Sequence, residues 1–126
     1  MPAPAYSRSV RLSPRKVSEV AALIRGRSVK DALVILEHTP RRAAGAVKNA
    51  VKSAQANAEH NHKLKPGTLF ISEIRVTPGQ RYKRYRAAAR GRALTFQRKT
   101  SQIKVVVDGE ERVIKKPVKT AEKGTE

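Results

Sequence analysis

Apolar residues in the first half of the chain recur every three or four positions and predict three amphipathic helices. Gly26 ends the first of these runs. The apolar faces comprise Val17, Val20, Ala21 and Ile24 in the first helix, Ala32, Leu33, Ile35 and Leu36 in the second, and Ala43, Val47, Ala50, Val51, Ala54 and Ala58 in the third. The third stripe spans about five turns, and its small residues allow another element to pack close to the helix.

Each helix has its own start signal. The pairs Ser13-Pro14 and Thr39-Pro40 place a hydroxyl before a proline, so the hydroxyl can cap the helix. The proline then occupies the first helical position, where its missing N–H costs nothing. Ser28 and Asp31 resemble a capping box at the start of the second helix.

In the second half the apolar period changes to two, which predicts strands. A turn containing Pro66 and Gly67 precedes this change. The alternating residues are Phe70, Ile74 and Val76 in one strand, Ile103, Val105 and Val107 in another, and Tyr6, Val10 and Leu12 in a short N-terminal strand. The sequence therefore predicts an α+β fold in which three helices pack on a small antiparallel sheet, as one domain over residues 1–107.

Residues 80–100 are strand-forming in type but carry too little apolar surface for a core. They predict the protruding part of a long β-hairpin over about residues 69–107. Its tip is predicted at Ala87–Ala93, where small residues and a glycine permit a tight reversal. Two arms of about 12 residues would project on the order of 40 Å. Because so polar a hairpin is unstable alone in water, we expect it to become ordered on a partner.

Residues 108–126 are predicted to form a basic C-terminal extension. They are rich in Lys, Pro, Thr, Gly and Glu, which indicates a largely disordered segment. Within them, Asp108-Gly109 is a short hairpin signal between Val105–Val107 and Val113-Ile114.

Charge identifies the class of partner. The 126 residues include 28 Lys and Arg against 10 Asp and Glu, a net charge of +18. Such a charge opposes compaction unless a polyanion neutralises it, which favours nucleic acid over anionic membranes and acidic proteins. No cysteine is present, so disulfides and thiolate metal sites are excluded. Without a secretory signal or a run of about 20 apolar residues, we expect a cytoplasmic protein with no membrane partner.

The strongest functional signal is a basic segment with no acid between Glu73 and Asp108. Its ten basic residues are Arg75, Arg81, Lys83, Arg84, Arg86, Arg90, Arg92, Arg98, Lys99 and Lys104. Because a solvated face normally mixes signs, this segment indicates that phosphate supplies the compensating charge. Arginine suits that role, since its planar guanidinium binds phosphate through two N–H groups and stacks on bases.

Residue type leaves two questions open. The aromatic residues of the basic segment either stack on unpaired RNA bases or pack across the strands; they are Tyr82, Tyr85 and Phe96. The basic residues at helix ends either contact phosphate or face solvent; they are Arg15, Lys16, Arg25, Arg27, Arg41 and Arg42.

The chain lacks the side-chain combinations of an enzyme or a metal site. His60 and His62 are two residues apart, so a helix directs them away from each other, and no cysteine completes a zinc site. His38 is isolated, and neither paired carboxylates, nor a phosphate-binding glycine loop, nor a serine-nucleophile motif is found. We therefore expect no catalytic activity, no cofactor and no metal.

With these elements placed, the chain resembles the ribosomal protein L twenty-two family of the bacterial large subunit over nearly all of Arg8 to Val107. The landmarks are Ser13-Pro14-Arg15-Lys16, Ile24-Arg25-Gly26-Arg27, Ala56-Asn57-Ala58-Glu59-His60-Asn61, Lys83-Arg84, Arg90-Gly91-Arg92-Ala93, and Thr100-Ser101 with Ile103. Their order and spacing together make the resemblance specific.

The resemblance implies a structural constituent of the large ribosomal subunit that binds and organises ribosomal RNA during assembly. The hairpin tip would line the nascent-polypeptide exit tunnel. The implied partners are large-subunit ribosomal RNA, neighbouring ribosomal proteins and, transiently, the nascent polypeptide, with no homo-oligomer.

The resemblance, with the basic segment, also gives the expected site residues. Those expected to bind RNA are Arg8, Arg11, Ser13, Arg15, Lys16, Arg25, Arg27, Asn57, His60, Asn61, Arg81, Lys83, Arg84, Arg86, Arg98, Lys99, Thr100 and Ser101. Those expected at the tunnel tip are Tyr82, Tyr85, Ala87, Ala88, Ala89, Arg90, Gly91, Arg92 and Ala93. Ala87 and Ala88 stand where the family usually has proline and arginine.

A different class of protein that fits the charge is an architectural DNA-binding protein that grips duplex through basic β-arms. Such proteins usually work as dimers with two arms and an apolar wedge at each tip, whereas one arm is predicted here and Ala87–Ala89 is a poor wedge. A membrane-surface protein would need a basic helix with large apolar residues, and the third helix offers mainly alanine.

Overall fold

In the part of the chain that the structure describes, three helices pack on one face of a three-stranded antiparallel sheet. The computed structural model describes residues 2–113. In chain order the elements are β1 (Ala3–Val10), α1 (Pro14–Ile24), α2 (Val29–His38), α3 (Arg42–His60), β2 (Phe70–Ala87) and β3 (Ala93–Asp108), with short 3-10 turns at Pro66–Thr68 and Ala89–Gly91. The strand order is β1-β3-β2, so β3 is the central strand. This architecture confirms the predicted α+β fold.

The core lies between the helices and the sheet. The central strand contributes Ile103, Val105 and Val107, each at most 1% exposed, as their alternation predicts. The helices contribute the apolar stripes, including the alanine-rich face of α3, of which Ala54 and Ala58 are fully buried. These small side chains explain how α3 packs close to the sheet.

In two of the predicted strands, the residues that face the core differ from the apolar residues that predicted the strand. In β2, Ile71 is buried and Phe70 is 42% exposed, because the register shifts between Ile71 and Glu73 and changes which residues face the core. In β1, the small residues Ala3 and Ala5 face the core, whereas Tyr6 is 62% exposed. Phe70 and Tyr6 belong to the alternating sets that predicted these strands, and both strands form, but neither residue faces the core.

The predicted helix starts are correct in part. Ser28 caps α2 by accepting a hydrogen bond from the Asp31 backbone N–H at 3.3 Å. Ser13 occupies the N-cap position of α1, but its side chain makes no capping hydrogen bond. The Thr39-Pro40 prediction is wrong: α3 begins two residues later, and the Thr39 hydroxyl donates to the Ile35 carbonyl at 2.6 Å, at the end of α2.

An ion pair joins the exposed sides of α2 and α3. The Lys48 ammonium donates to the Glu37 carboxylate at 3.1 Å, and this hydrogen bond lowers the pKa of Glu37. None of the helices in the part of the chain that the structure describes is long and apolar enough to cross a membrane.

The hairpin predicted at Asp108-Gly109 does not form. After β3 the chain pairs with the loop before β2: Glu111 forms a β-bridge with Leu64, the Arg112 N–H donates to the Lys63 carbonyl at 2.8 Å, and the Lys65 N–H donates to the Glu110 carbonyl at 2.8 Å. Most of the predicted C-terminal extension, with Ile114, lies outside the described residues.

Candidate RNA-binding surface

The hairpin formed by β2 and β3 extends beyond the body from Arg81 to Lys99. Seven consecutive register pairs join its strands, from Arg81 opposite Lys99 to Ala87 opposite Ala93. Every residue from 81 to 99 is exposed except Ala88, which is half-buried. Seven pairs correspond to about 23 Å at the usual rise per residue. The projection is shorter than expected from sequence because the rest of both strands lies on the body.

The tip is a tight turn at the predicted position. The Ala88 N–H donates to the Arg92 carbonyl at 2.8 Å and closes a five-residue loop. Arg90 and Gly91 both have positive φ, 61° and 71°. Glycine adopts this conformation freely, whereas it is uncommon for arginine, so the turn holds Arg90 in a restricted backbone conformation.

Side chains of opposite strands sort onto two faces of the hairpin. The aromatic face carries Tyr82, Arg84, Arg86, Leu94, Phe96 and Arg98, and the other face carries Arg81, Lys83, Tyr85, Thr95, Gln97 and Lys99. On the aromatic face, the Cζ atoms of Arg86 and Arg98 lie 5.8 and 5.7 Å from the centre of the Phe96 ring. Arg84 lies 5.8 Å from the centre of the Tyr82 ring.

These contacts give different roles to the three aromatic residues of the hairpin. Phe96 and Tyr82 pack against arginines of their own hairpin, at distances typical of cation–π contacts. Tyr85 is 70% exposed and has no such contact with any residue from 2 to 113. The ring of Tyr85 therefore remains available to a partner.

The hairpin contains no internal compensation for its charge. Of the ion pairs among residues 2–113, none involves a residue between 81 and 99. The register separates most cations, because basic residues of one strand lie opposite neutral residues of the other. The exception in the hairpin is Arg81 opposite Lys99, and like charges placed directly opposite each other destabilise a sheet.

This pair of cations lies beside a cavity at the base of the hairpin. The cavity measures about 370 Å³ and is lined by Ser13, Pro14, Arg15, Pro78, Arg81, Lys99 and Thr100. Three cations and no acid contribute to it, together with the Ser13 hydroxyl. Its geometry brings together five residues that the sequence predicted as RNA ligands from separate parts of the chain.

The hairpin base is fixed by a close backbone approach. The register shifts between Pro78 and Arg81, and the Thr100 hydroxyl donates to the Gln80 carbonyl at 2.6 Å. A Cβ atom on Gly79 would lie 2.7 Å from the Thr100 hydroxyl oxygen. Glycine is thus required at position 79 for β2 to bend past β3.

Two predicted RNA ligands occupy this base as buried residues. Thr100 is 5% exposed and Ser101 is 0% exposed. The hydroxyl of Thr100 donates within the protein, and the buried hydroxyl of Ser101 has no hydrogen-bond partner among residues 2–113. Thr100 lines the cavity, whereas Ser101 is enclosed by the protein, and direct RNA contacts of these two residues stay a prediction.

The predicted ligands outside the hairpin fall into two groups. The first group is exposed: Arg8 lies on β1, Arg11 lies between β1 and α1, and Arg15 and Lys16 lie at the start of α1. Asn57 lies at the opposite end of the sheet, where its side-chain amide donates to the Pro4 carbonyl at 3.0 Å. The structure therefore does not bring Asn57, and with it the exposed residues His60 and Asn61, to the hairpin.

The helix-end arginines partly bind the protein itself. Arg25 donates to the Ile74 carbonyl at 3.2 Å, and Arg27 donates to the Leu23 carbonyl at 3.0 Å. Arg41 pairs with Glu19 at 3.1 Å, whereas Arg42 is exposed. Within residues 2–113, no cluster of three or more His, Cys, Asp or Glu side chains could hold a metal ion.

One group of surface residues was not predicted as a site. Tyr6, Lys104 and Arg75 lie side by side across the three strands, on the sheet face opposite the helices. In the sequence, Tyr6 was used only as part of the alternation that predicts the N-terminal strand, and Ala3 and Ala5, which face the core, were not considered. The alanines were the signal that could have identified the core face.

Comparison with known proteins covers both the body and the hairpin. Residues 5–108 match the family described as ribosomal protein L22p/L17e. The chain belongs to this family. It is a family of structural, non-enzymatic proteins, in agreement with the absence of catalytic motifs from the sequence.

Curated relatives are similar in sequence to this chain over nearly their whole length. The large ribosomal subunit protein uL22 of Clostridioides difficile is 46% identical over 107 residues, which are 85% of this chain and 96% of that protein. The uL22 of Oceanobacillus iheyensis is 49% identical over 85% of this chain and 95% of that protein. The uL22 of Lactobacillus helveticus is 48% identical over 83% and 90%, respectively.

We expect Gly79→Ala to loosen the hairpin base. The new Cβ would displace the buried Thr100 hydroxyl from Gln80, which should lower the free energy of unfolding by about 1–3 kcal/mol, as overpacking does. Urea unfolding followed by circular dichroism measures this change. Gly67→Ala is the matched control, because its Cβ meets nothing within 4 Å. Equal stability of the two variants would contradict the role of Gly79.

Proposed function

We propose that this chain is a structural constituent of the large ribosomal subunit, where it binds ribosomal RNA and organises it during assembly. The observation that carries the proposal is the exposed hairpin, whose eight basic residues have no acidic partner among residues 2–113. The relatives that match over nearly their full length are named as large ribosomal subunit proteins.

The cavity at the hairpin base suits a phosphate of the RNA backbone. Arg81 and Lys99 repel each other across the strands, and Arg15 adds a third cation from α1. A phosphate between them would convert this repulsion into charge-assisted hydrogen bonds. The Ser13 hydroxyl, which caps no backbone N–H, is a further hydrogen-bonding group for the same ligand.

The two ends of the sheet support an organising role. The hairpin and its cavity lie at one end, whereas His60 and Asn61 are exposed at the end of α3, near the other. RNA bound at both ends would be held by one rigid body, so segments distant in the RNA sequence could be fixed relative to each other. Binding of this kind reads RNA through backbone contacts and shape.

The hairpin tip suits the wall of the nascent-polypeptide exit tunnel. Its five-residue loop is narrow, and Ala87–Ala89 carry only methyl groups, so another backbone can approach closely. Arg90 and Arg92 flank Gly91 and would contact RNA or the passing polypeptide. The protein would act within the ribosome in the cytoplasm, beside neighbouring ribosomal proteins and as a single copy.

We expect tagged protein in a bacterial extract to co-sediment with the large ribosomal subunit on a sucrose gradient. Ribonuclease treatment should release it, and deoxyribonuclease treatment should not, because the proposed ligand is RNA. Co-migration with DNA, released by deoxyribonuclease, would instead support the architectural DNA-binding alternative.

Replacing both Arg86 and Arg98 by Gln should weaken binding to large-subunit RNA and flatten its salt dependence. Each phosphate contact contributes about one unit to the slope of log affinity against log salt, so we expect a loss of about two. Filter binding over a salt series measures the slope. The matched control replaces Lys30 and Lys52, exposed on α2 and α3, by Gln and removes the same charge. An identical loss in both variants would show that net charge alone decides binding.

An Ala89→Cys variant tests the position of the tip, since the chain has no other cysteine. With a photoactivatable label on the introduced thiol, ribosomes carrying a stalled nascent chain should yield a crosslink to that polypeptide. The control is Val34→Cys, which is exposed on α2. Crosslinks of equal yield from both positions, or from neither, would contradict the tunnel assignment.

A further inference from the structure

The sheet face opposite the helices presents an uncovered aromatic ring beside cations. Tyr6 of β1 pairs with Lys104 of β3, and Lys104 pairs with Arg75 of β2, so the three side chains form one row. Tyr6 is 62% exposed, and its side chain makes no hydrogen bond or ring contact with residues 2–113. The row crosses the sheet over roughly 10 Å, which is two strand spacings.

The charge of this row is unbalanced. Arg75 opposite Lys104 is, after Arg81 and Lys99, the second pair of like charges that the sheet places directly opposite each other. The Arg75 guanidinium forms an ion pair with the Glu73 carboxylate, with an N–O distance of 2.6 Å. No acidic side chain pairs with Lys104 within the described chain. A cavity of about 490 Å³ runs over the row, and its lining includes Tyr6, Arg8, Arg75 and Lys104 but no acid.

The neighbouring polar groups suit a nucleotide. Thr77 and Gln102 are paired in the adjacent row and line the same cavity. Their hydroxyl and amide groups can donate and accept hydrogen bonds, as recognition of a base edge or a 2′-hydroxyl requires. The combination of a stacking ring, flanking cations and adaptable polar groups is typical of surfaces that bind unpaired nucleotides.

We propose that this sheet face binds one unpaired nucleotide of RNA, with its base stacked on Tyr6 and its phosphate held by Lys104 and Arg8. The proposal rests on the proposed RNA-binding function and names the form of RNA that this surface takes. An unpaired nucleotide is favoured over a duplex because paired bases are stacked on each other and present no free face to the ring.

A Tyr6→Trp variant tests this in the full chain, which otherwise contains no tryptophan. Single-stranded octauridylate should quench the emission of the introduced indole, because a stacked base contacts the ring. A blunt RNA duplex at the same phosphate concentration should leave the emission nearly unchanged. The control is Leu23→Trp, at a position 48% exposed on α1, which should show no quenching with either RNA.

Adding Lys104→Gln to Tyr6→Trp tests the phosphate contact. The quenching titration should shift to higher octauridylate concentration, and its salt slope should fall by about one, as for loss of one phosphate contact. Adding Lys30→Gln instead should leave the titration unchanged, since that residue lies on α2.

The outcomes separate this inference from the proposed function. If octauridylate binds, as measured by anisotropy of a labelled oligonucleotide, while the indole emission stays constant, the sheet-face site is refuted and RNA binding stands. Equal quenching by the duplex also refutes a site for unpaired nucleotides. If neither octauridylate nor large-subunit RNA binds the unmodified chain, the proposed function itself fails.

Discussion

Repulsion among the hairpin cations is the constraint on which the rest of the structure depends. Eight positive side chains lie on a two-stranded ribbon that has no core of its own and no acidic partner within the described residues. In water each close pair of like charges costs no more than about 1 kcal/mol, but the costs accumulate along the ribbon. The ribbon therefore needs an anchor in the body and a polyanion outside it.

The body provides the anchor through the central strand. The inner half of β3 carries Ile103, Val105 and Val107 into the core, and its outer half continues without interruption into the hairpin. Between the two halves, Thr100 and Ser101 are buried, and Thr100 binds the carbonyl of Gln80 on β2. A polar pair at this point, together with Gly79, fixes the direction in which the charged arm leaves the apolar body.

The helical half of the fold could be read from the sequence because its periodicity is regular over many residues. The apolar faces of α1, α2 and α3 depend on spacing alone, and Gly26 adopts the positive φ of 79° that ends α1. For the strands, the side that faces the core was harder to predict, because it depends on local features of each strand. A register shift after Ile71 exchanges the roles of Ile71 and Phe70, and alanines rather than Tyr6 form the core side of β1. The register shift after Ile71 has no reliable sequence signal, whereas the core face of β1 was marked by Ala3 and Ala5.

Some parts of the candidate site could be predicted from composition, whereas others depend on the strand register. An acid-free run of basic residues is visible in the sequence, and so is the glycine turn at its tip. The pairing of β2 with β3 cannot be read from composition, because it depends on the shift between Pro78 and Arg81. That shift places Arg81 opposite Lys99. Both lie beside Arg15 of α1, which is far from them in the sequence.

The two pairs of like charges that this register places opposite each other share one explanation. A sheet selected for stability alone would oppose basic residues with neutral or acidic ones, as the hairpin does at Tyr82, Phe96 and Leu94. The two exceptions, Arg81 with Lys99 and Arg75 with Lys104, each lie beside a cavity whose lining contains no acid. Repulsion that is retained only where an anion can enter is better explained by binding than by folding, since a bound phosphate removes its cost.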